Sequence, residues 1–173
     1  NTRNEKIKKF IIKNKKLPIS IAATFIFVII SFYSFQEYQK KQKQKIANKY
    51  NGAVIEYENG NQSKIILLMK EIIKDKDKTY SPLALYFLID NNLKVSNQDI
   101  NILFDILIEE TNTEAEIKNL LIYKKALFNS DFASENDLLK ILGPIINSEN
   151  IWKSHALYLM AEYFYYKNEK KKS

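Results

Sequence analysis

One histidine, His155, and no cysteine set the first limit on the chemistry open to this chain. Serine and cysteine nucleophiles are ordinarily activated by an imidazole that a third group orients. With a single imidazole and no thiol, neither a thiol-based site nor a multi-histidine or thiolate metal site can be assembled. Glycines stand only at 52, 60 and 143, too scattered for a phosphate-cradling loop, which needs them clustered so that backbone can approach the ligand. The alternating Asp75-Lys76-Asp77-Lys78 lacks the central glycine of a calcium loop and has Tyr86 at the twelfth position. No enzyme, cofactor or metal is therefore expected. The residues left for function are ones that bind: Tyr123, Trp152, His155, Tyr158 and Tyr165. Trp152, His155, Leu159 and Tyr163 follow helical spacing, so the plainest reading makes His155 a partly buried, hydrogen-bonded side chain and Trp152 a packing anchor.

The charge distribution separates two classes of polyanionic partner. The 173 residues carry a formal charge of +7, which by itself invites nucleic acid. Residues 1–49 hold twelve Lys/Arg against Glu5 and Glu37, a balance of +10, whereas residues 50–173 hold fifteen against eighteen acids, a balance of −3. A nucleic-acid footprint would need its basic face on the folded part. Here the excess flanks an apolar run instead, so no nucleic-acid partner is expected.

That run is Leu17 to Phe35, nineteen residues of which eleven are Leu, Ile, Val or Phe. At about 1.5 Å per residue a helix of this length nearly covers a hydrocarbon core of roughly 30 Å. Leu17, Ile21, Phe25, Ile29, Phe32, Tyr33 and Phe35 are the expected anchor residues, with Pro18 placed in the first turn, where its missing N–H costs little. No small-x-small cleavage site follows, so the segment reads as an uncleaved signal anchor. Seven Lys/Arg precede it within residues 1–16 and five follow within 36–50. The positive-inside bias then puts residues 1–16 in the cytoplasm and the C-terminal part across the bacterial inner membrane, in the periplasm. Residues 36–45 are expected to form a helical connector.

Beyond it the apolar residues recur at helical spacing. Ile46, Tyr50, Val54 and Tyr57 make one stripe, weakened by Asn51-Gly52, and Glu58-Asn59-Gly60-Asn61 reads as a turn. Ile65, Leu68, Met69, Ile72 and Ile73 form the next helix; Ser81-Pro82 predicts an N-cap and first-turn proline for a third. Ser96 or Asn97 caps a fourth, and Thr113 with Glu116 has capping-box spacing for a fifth. Ser134 opens a sixth, interrupted at Gly143-Pro144, and a seventh runs from about Asn150 to Lys167. Hairpins then begin near Ile46, Pro82, Glu114 and Trp152, at spacings of 36, 32 and 38 residues, which bracket the roughly 34-residue tetratricopeptide period. Ala47, Ala84, Ala126 and Ala156 supply the small residues expected where helices cross. The expected fold is all-α: one transmembrane helix, then a tetratricopeptide-like hairpin solenoid over residues 46–173. Asn168-Glu169 would turn the chain into a helix cut short at the C-terminus.

The stretch Asn150 to Ala161, with Tyr165 and Asn168-Glu169, resembles a motif of the bacterial YfgM-like family, an ancillary SecYEG translocon subunit with a tetratricopeptide-like domain. Trp152, Lys153, Ala156, Leu159, Ala161 and Tyr165 match its Asn-Pro-Trp-basic lead-in, small alanine and apolar helix; Ile151 replaces the proline, and Asn168-Glu169 the closing Gly-Asp. The resemblance implies a bitopic inner-membrane protein whose periplasmic domain associates with Sec translocon subunits and a periplasmic chaperone. The alternative expectation is a self-assembling, envelope-organising protein built on the same parts, with homo-oligomers as its product.

Overall fold

The computed structural model describes Glu5 and residues 16–172. The rest of the basic segment 1–16 and the side chain of the expected anchor residue Leu17 lie outside the described residues. Among those described there are seven helices and no strand: α1 (Lys16–Glu58), α2 (Gln62–Lys74), α3 (Tyr80–Asp90), α4 (Asn97–Asp105), α5 (Ala115–Asn129), α6 (Glu135–Ile146) and α7 (Lys153–Lys172). A π-helical turn, Ile106–Glu110, ends α4. The chain divides between Lys45 and Ile46 into two compact units.

In the first unit α1 is long and apolar enough to cross a membrane. Ile21, Phe25, Ile29, Phe32, Tyr33 and Phe35 are all exposed to solvent. A soluble helix of this composition would hide one face against protein; from Ile19 to Phe35 every described side chain is exposed.

The second unit starts with the last turns of α1. Gly52 lies inside the helix, where a glycine costs about 1 kcal/mol relative to alanine. The helix nevertheless continues, because Tyr50, Ala53, Val54 and Tyr57 pack into the core on either side of it. Gly60, at φ +82°, makes the turn into α2.

Two of the remaining helix ends show how short polar residues set the boundaries. After α3, Asn92 adopts φ 47°, its N–H donates to the Ile89 carbonyl and that of Leu93 to Leu88, at 3.0 and 3.1 Å. This is a Schellman closure, completed by contact of two buried leucines, Leu88 and Leu93. After α2 the same closure begins, with Lys76 at φ 53° and its N–H on the Ile73 carbonyl. Its second bond is replaced by a relay: the Asp77 N–H donates to Ser81 Oγ at 2.9 Å, and Ser81 Oγ donates to the Ile72 carbonyl at 2.6 Å. Ser81 is fully buried. It is therefore a clamp between α2 and α3 and not the N-cap its pairing with Pro82 predicts. Asp77 caps α3 in its place, Oδ1 accepting from the N–H groups of Thr79 and Tyr80 at 2.9 and 2.8 Å.

Ser96 and Ser134 do cap α4 and α6, accepting from the N–H of Asp99 at 3.1 Å and of Asp137 at 3.2 Å. The capping box expected at Thr113 does not form, because α5 begins one residue later than that spacing requires; Glu114 occupies the cap position and Thr113 Oγ1 is buried without a partner. Pro144 lies inside α6 and does not end it. The turn expected at Asn168-Glu169 is absent, since α7 runs on to Lys172.

Two apolar clusters fill the second unit. The first joins Ala53, Ile65, Met69, Ile72, Leu85, Leu88, Leu103, Phe104 and Leu107 with Leu121 of α5. The second joins Ile122 and Ala126 of α5 to Leu138, Leu142 and Ile145 of α6 and to Ala156, Leu159, Met160 and Tyr163 of α7. Adjacent residues of α5 thus serve different cores. Where α4 meets α5, polar pairs flank the apolar contact of Phe104 with Phe128: Asn101 and Asn129 exchange hydrogen bonds of 3.0 and 2.8 Å, and Lys125 pairs with Asp105.

Candidate interaction surface on the last three helices

The exposed side chains of α5 and α7 are positioned by what those helices bury. Ala156, Leu159, Met160 and Tyr163 lie at i, i+3, i+4 and i+7 on α7 and face α5 and α6. Residues on the opposite side must then face outward. Tyr158 and Tyr165 are 64% and 65% exposed, with Leu157 and Phe164 beside them at 48% and 37%. The exposed part of these apolar and aromatic groups is covered by nothing within this unit, so its burial is available to a partner at about 25 cal/mol per Å².

Asn150 sets the start of α7. Its Nδ2 donates to the Ile145 carbonyl at 2.9 Å, and its Oδ1 accepts from the Trp152 N–H at 2.9 Å, tying the end of α6 to the first residues of the next helix. Trp152 is held from its other side, as the indole Nε1 donates to the Glu116 carbonyl of α5 at 3.1 Å. Tyr123 stacks on the indole with ring centroids 5.8 Å apart and an interplanar angle of 24°. His155 meets Tyr123 edge-on at 5.9 Å and Trp152 at 5.4 Å.

Three of the five expected binding residues, Tyr123, Trp152 and His155, thus form one aromatic cluster joining α5 to α7. Trp152 and Tyr123 are half-buried in it; His155 is exposed and not the partly buried group its spacing predicts. Tyr158 and Tyr165 stand apart from that cluster on the outward face of α7. The Glu162 carboxylate, by hydrogen bond and charge, holds the Tyr158 phenol above its ordinary pKa.

A recess of about 390 Å³ lies between α5 and α7, lined by Leu127, Asp131, Leu159, Glu162, Tyr166 and Lys167 around the Tyr163 ring. Tyr163 is fixed there by its hydroxyl, which donates to the Ala133 carbonyl at 2.9 Å, and Lys167 Nζ sits 4.5 Å from its ring centroid. This recess was not singled out from the sequence. The signal for it was the spacing of Leu159, Glu162, Tyr163, Tyr166 and Lys167, which puts an apolar, an acidic and a basic side chain on adjoining turns of one helix.

Chemically the surface offers flat aromatic area, two carboxylates and one ammonium group. Among the described residues no three potential metal ligands converge. No protein-family model matches the chain, nor does any curated protein or solved structure.

Proposed function

We propose that this chain is a membrane-anchored scaffold that binds other proteins and catalyses no reaction. Residues 17–35 span the bacterial inner membrane, residues 1–16 lie in the cytoplasm, and residues 46–173 form a tetratricopeptide-like stack in the periplasm. The observation carrying this reading is the apolar half of α1, every described side chain of which is exposed from Ile19 to Phe35. Burying that area in lipid removes the cost of wetting it; at about −0.3 to −0.6 kcal/mol for each Leu, Ile, Val or Phe, insertion is favoured.

The hairpin reading draws on the alternation of helices and on three fully buried alanines, Ala84, Ala126 and Ala156. They stand on α3, α5 and α7, the helices that open the hairpins expected from the spacing, where small residues let helices approach. In the first pair the fully buried alanine is Ala53, with Ala47 half-buried.

The partners are Sec translocon subunits and a periplasmic chaperone acting on emerging chains, as the resemblance of residues 150–169 implies. A tether supports this role by raising the effective concentration of the domain near a membrane exit site. Photo-reactive groups placed at Tyr158 and Tyr165 of the full chain in cells should trap Sec subunits or a periplasmic chaperone; adducts with neither would remove this assignment. The outward apolar face of α7 also favours a second reading, self-assembly into an envelope-organising oligomer. Sedimentation of the full chain in detergent separates the two, since a monomer excludes the second.

A further inference from the structure

We propose that the first turns of α1 beyond the apolar segment form a collar that binds the phosphate headgroups of anionic lipids. The proposal rests on the reading of residues 17–35 as a membrane span. Lys40, Lys41, Lys43 and Lys45 lie within six residues, all exposed, with Glu37 the one acid in residues 36–50. Among the described residues none of these four ammonium groups takes part in an ion pair, whereas Lys49, one turn on, is held by Asp75 at 3.0 Å and Glu71 at 3.3 Å. Pairing with the fold thus begins where the collar ends.

Height along the helix fits a headgroup layer. Counting about 1.5 Å per residue from Phe35, Tyr38 stands roughly 4.5 Å and Lys40 roughly 7.5 Å beyond the hydrocarbon edge. The polar layer on each side of a bilayer is about 5 to 7.5 Å deep. Tyr33 and Tyr38 therefore bracket the boundary, as interfacial aromatics do. Lys40 and Lys41 reach phosphates directly by snorkelling, and Lys43 and Lys45 lie within a Debye length of about 8 to 10 Å.

The distribution around the helix selects lipid over another polyanion. Successive residues rotate by about 100°, so Lys41 and Lys45 fall on one side with Tyr38, and Lys40 and Lys43 on the other. A nucleic acid or an acidic protein docks against one face of a helix. A ligand that surrounds the helix in a plane uses all four lysines at once, and lipid headgroups are such a ligand.

The test uses the full chain carrying Phe35→Trp, reconstituted in vesicles of phosphatidylcholine with a minor fraction of phosphatidylglycerol. Either lipid is supplied with brominated acyl chains, which quench a nearby indole on contact. Phosphatidylglycerol is expected to quench roughly three- to fivefold more per mole than phosphatidylcholine, an advantage that shrinks at about 1 M salt. Replacing Lys40, Lys41, Lys43 and Lys45 by Gln should abolish the advantage while leaving quenching by phosphatidylcholine intact. Equal quenching by the two lipids, or an advantage that survives the fourfold Gln variant, overturns the collar and leaves the span standing. Quenching by neither lipid overturns the span, and the collar with it. Protection of the four lysines from acetylation by a short RNA duplex but not by anionic vesicles would reassign them to nucleic acid and overturn the proposal.

Discussion

Ser81 does two jobs with one hydroxyl, accepting from the Asp77 N–H and donating to the Ile72 carbonyl. Ser81→Ala removes the acceptor of the Asp77 N–H and one of the two donors to the Ile72 carbonyl, which keeps the Asp75 N–H at 3.2 Å. Leaving the Asp77 N–H without an acceptor costs about 1 to 3 kcal/mol, so chemical denaturation should show a destabilisation of about that size; a change below about 0.5 kcal/mol would remove the relay from the account of the α2–α3 junction. Gly52 predicts the opposite sign. It sits in the interior of α1 with nothing within 4 Å of the position a Cβ would take. Gly52→Ala should stabilise the chain by about 0.5 to 1 kcal/mol, and no gain would mean that this turn is not helical in solution. Asp99 supplies a pH dependence. The Lys70 ammonium, by hydrogen bond and charge, holds its carboxyl below the usual range, and Lys153 does the same for Glu149. A depressed folded pKa contributes stability that is complete above the unfolded value and lost as pH falls through the folded one. Thermal midpoints should therefore drop below about pH 4, and Asp99→Asn should flatten part of that drop; an unchanged acid limb in the variant would contradict the pairing.

The helices are where the sequence was most legible, because the 3.6-residue apolar period reports burial directly. Ile65, Met69, Ile72 and Ile73 are read from spacing alone and are all fully buried. What spacing could not report was the pairing of ends. Ser81 reads as a cap locally, and its buried role depends on α2 lying against it. Thr113 misses its capping box by one residue, a shift the i, i+3 pattern does not resolve. In α6 the proline near the C-terminal end removes one backbone bond, too late to stop the helix. The exposure of the residues expected to bind was legible in part. Tyr158 and Tyr165 are on the exposed side, while the stacking of Tyr123 on Trp152 joins residues 29 apart, which no local pattern announces. At this scale α4 and α5 make the most specific prediction. Asn101 and Asn129 exchange two hydrogen bonds across the boundary of the two cores, and Asn129→Ala should cost about 1 to 3 kcal/mol because Asn101 loses both of them and keeps only its bond to the Asn97 carbonyl. In a double-mutant cycle the two alanine substitutions should be strongly non-additive; additive losses would show that the pair does not hold the helices in register.

For the whole molecule, the +7 balance has a physical location. It is a basic flank around an apolar helix, joined to a mildly acidic helical unit. That arrangement explains why, among the described residues, Lys40, Lys41, Lys43 and Lys45 take part in no ion pair while the domain supplies so many of its own. It also makes one claim central: residues 46–173 work at the outer face of the membrane to which residues 17–35 anchor them. Protease added to intact spheroplasts tests this most directly. The account predicts that the domain is digested there and protected in inverted membrane vesicles. Protection in spheroplasts, with digestion only after the membrane is opened, would place the domain in the cytoplasm and contradict both its location and its proposed partners.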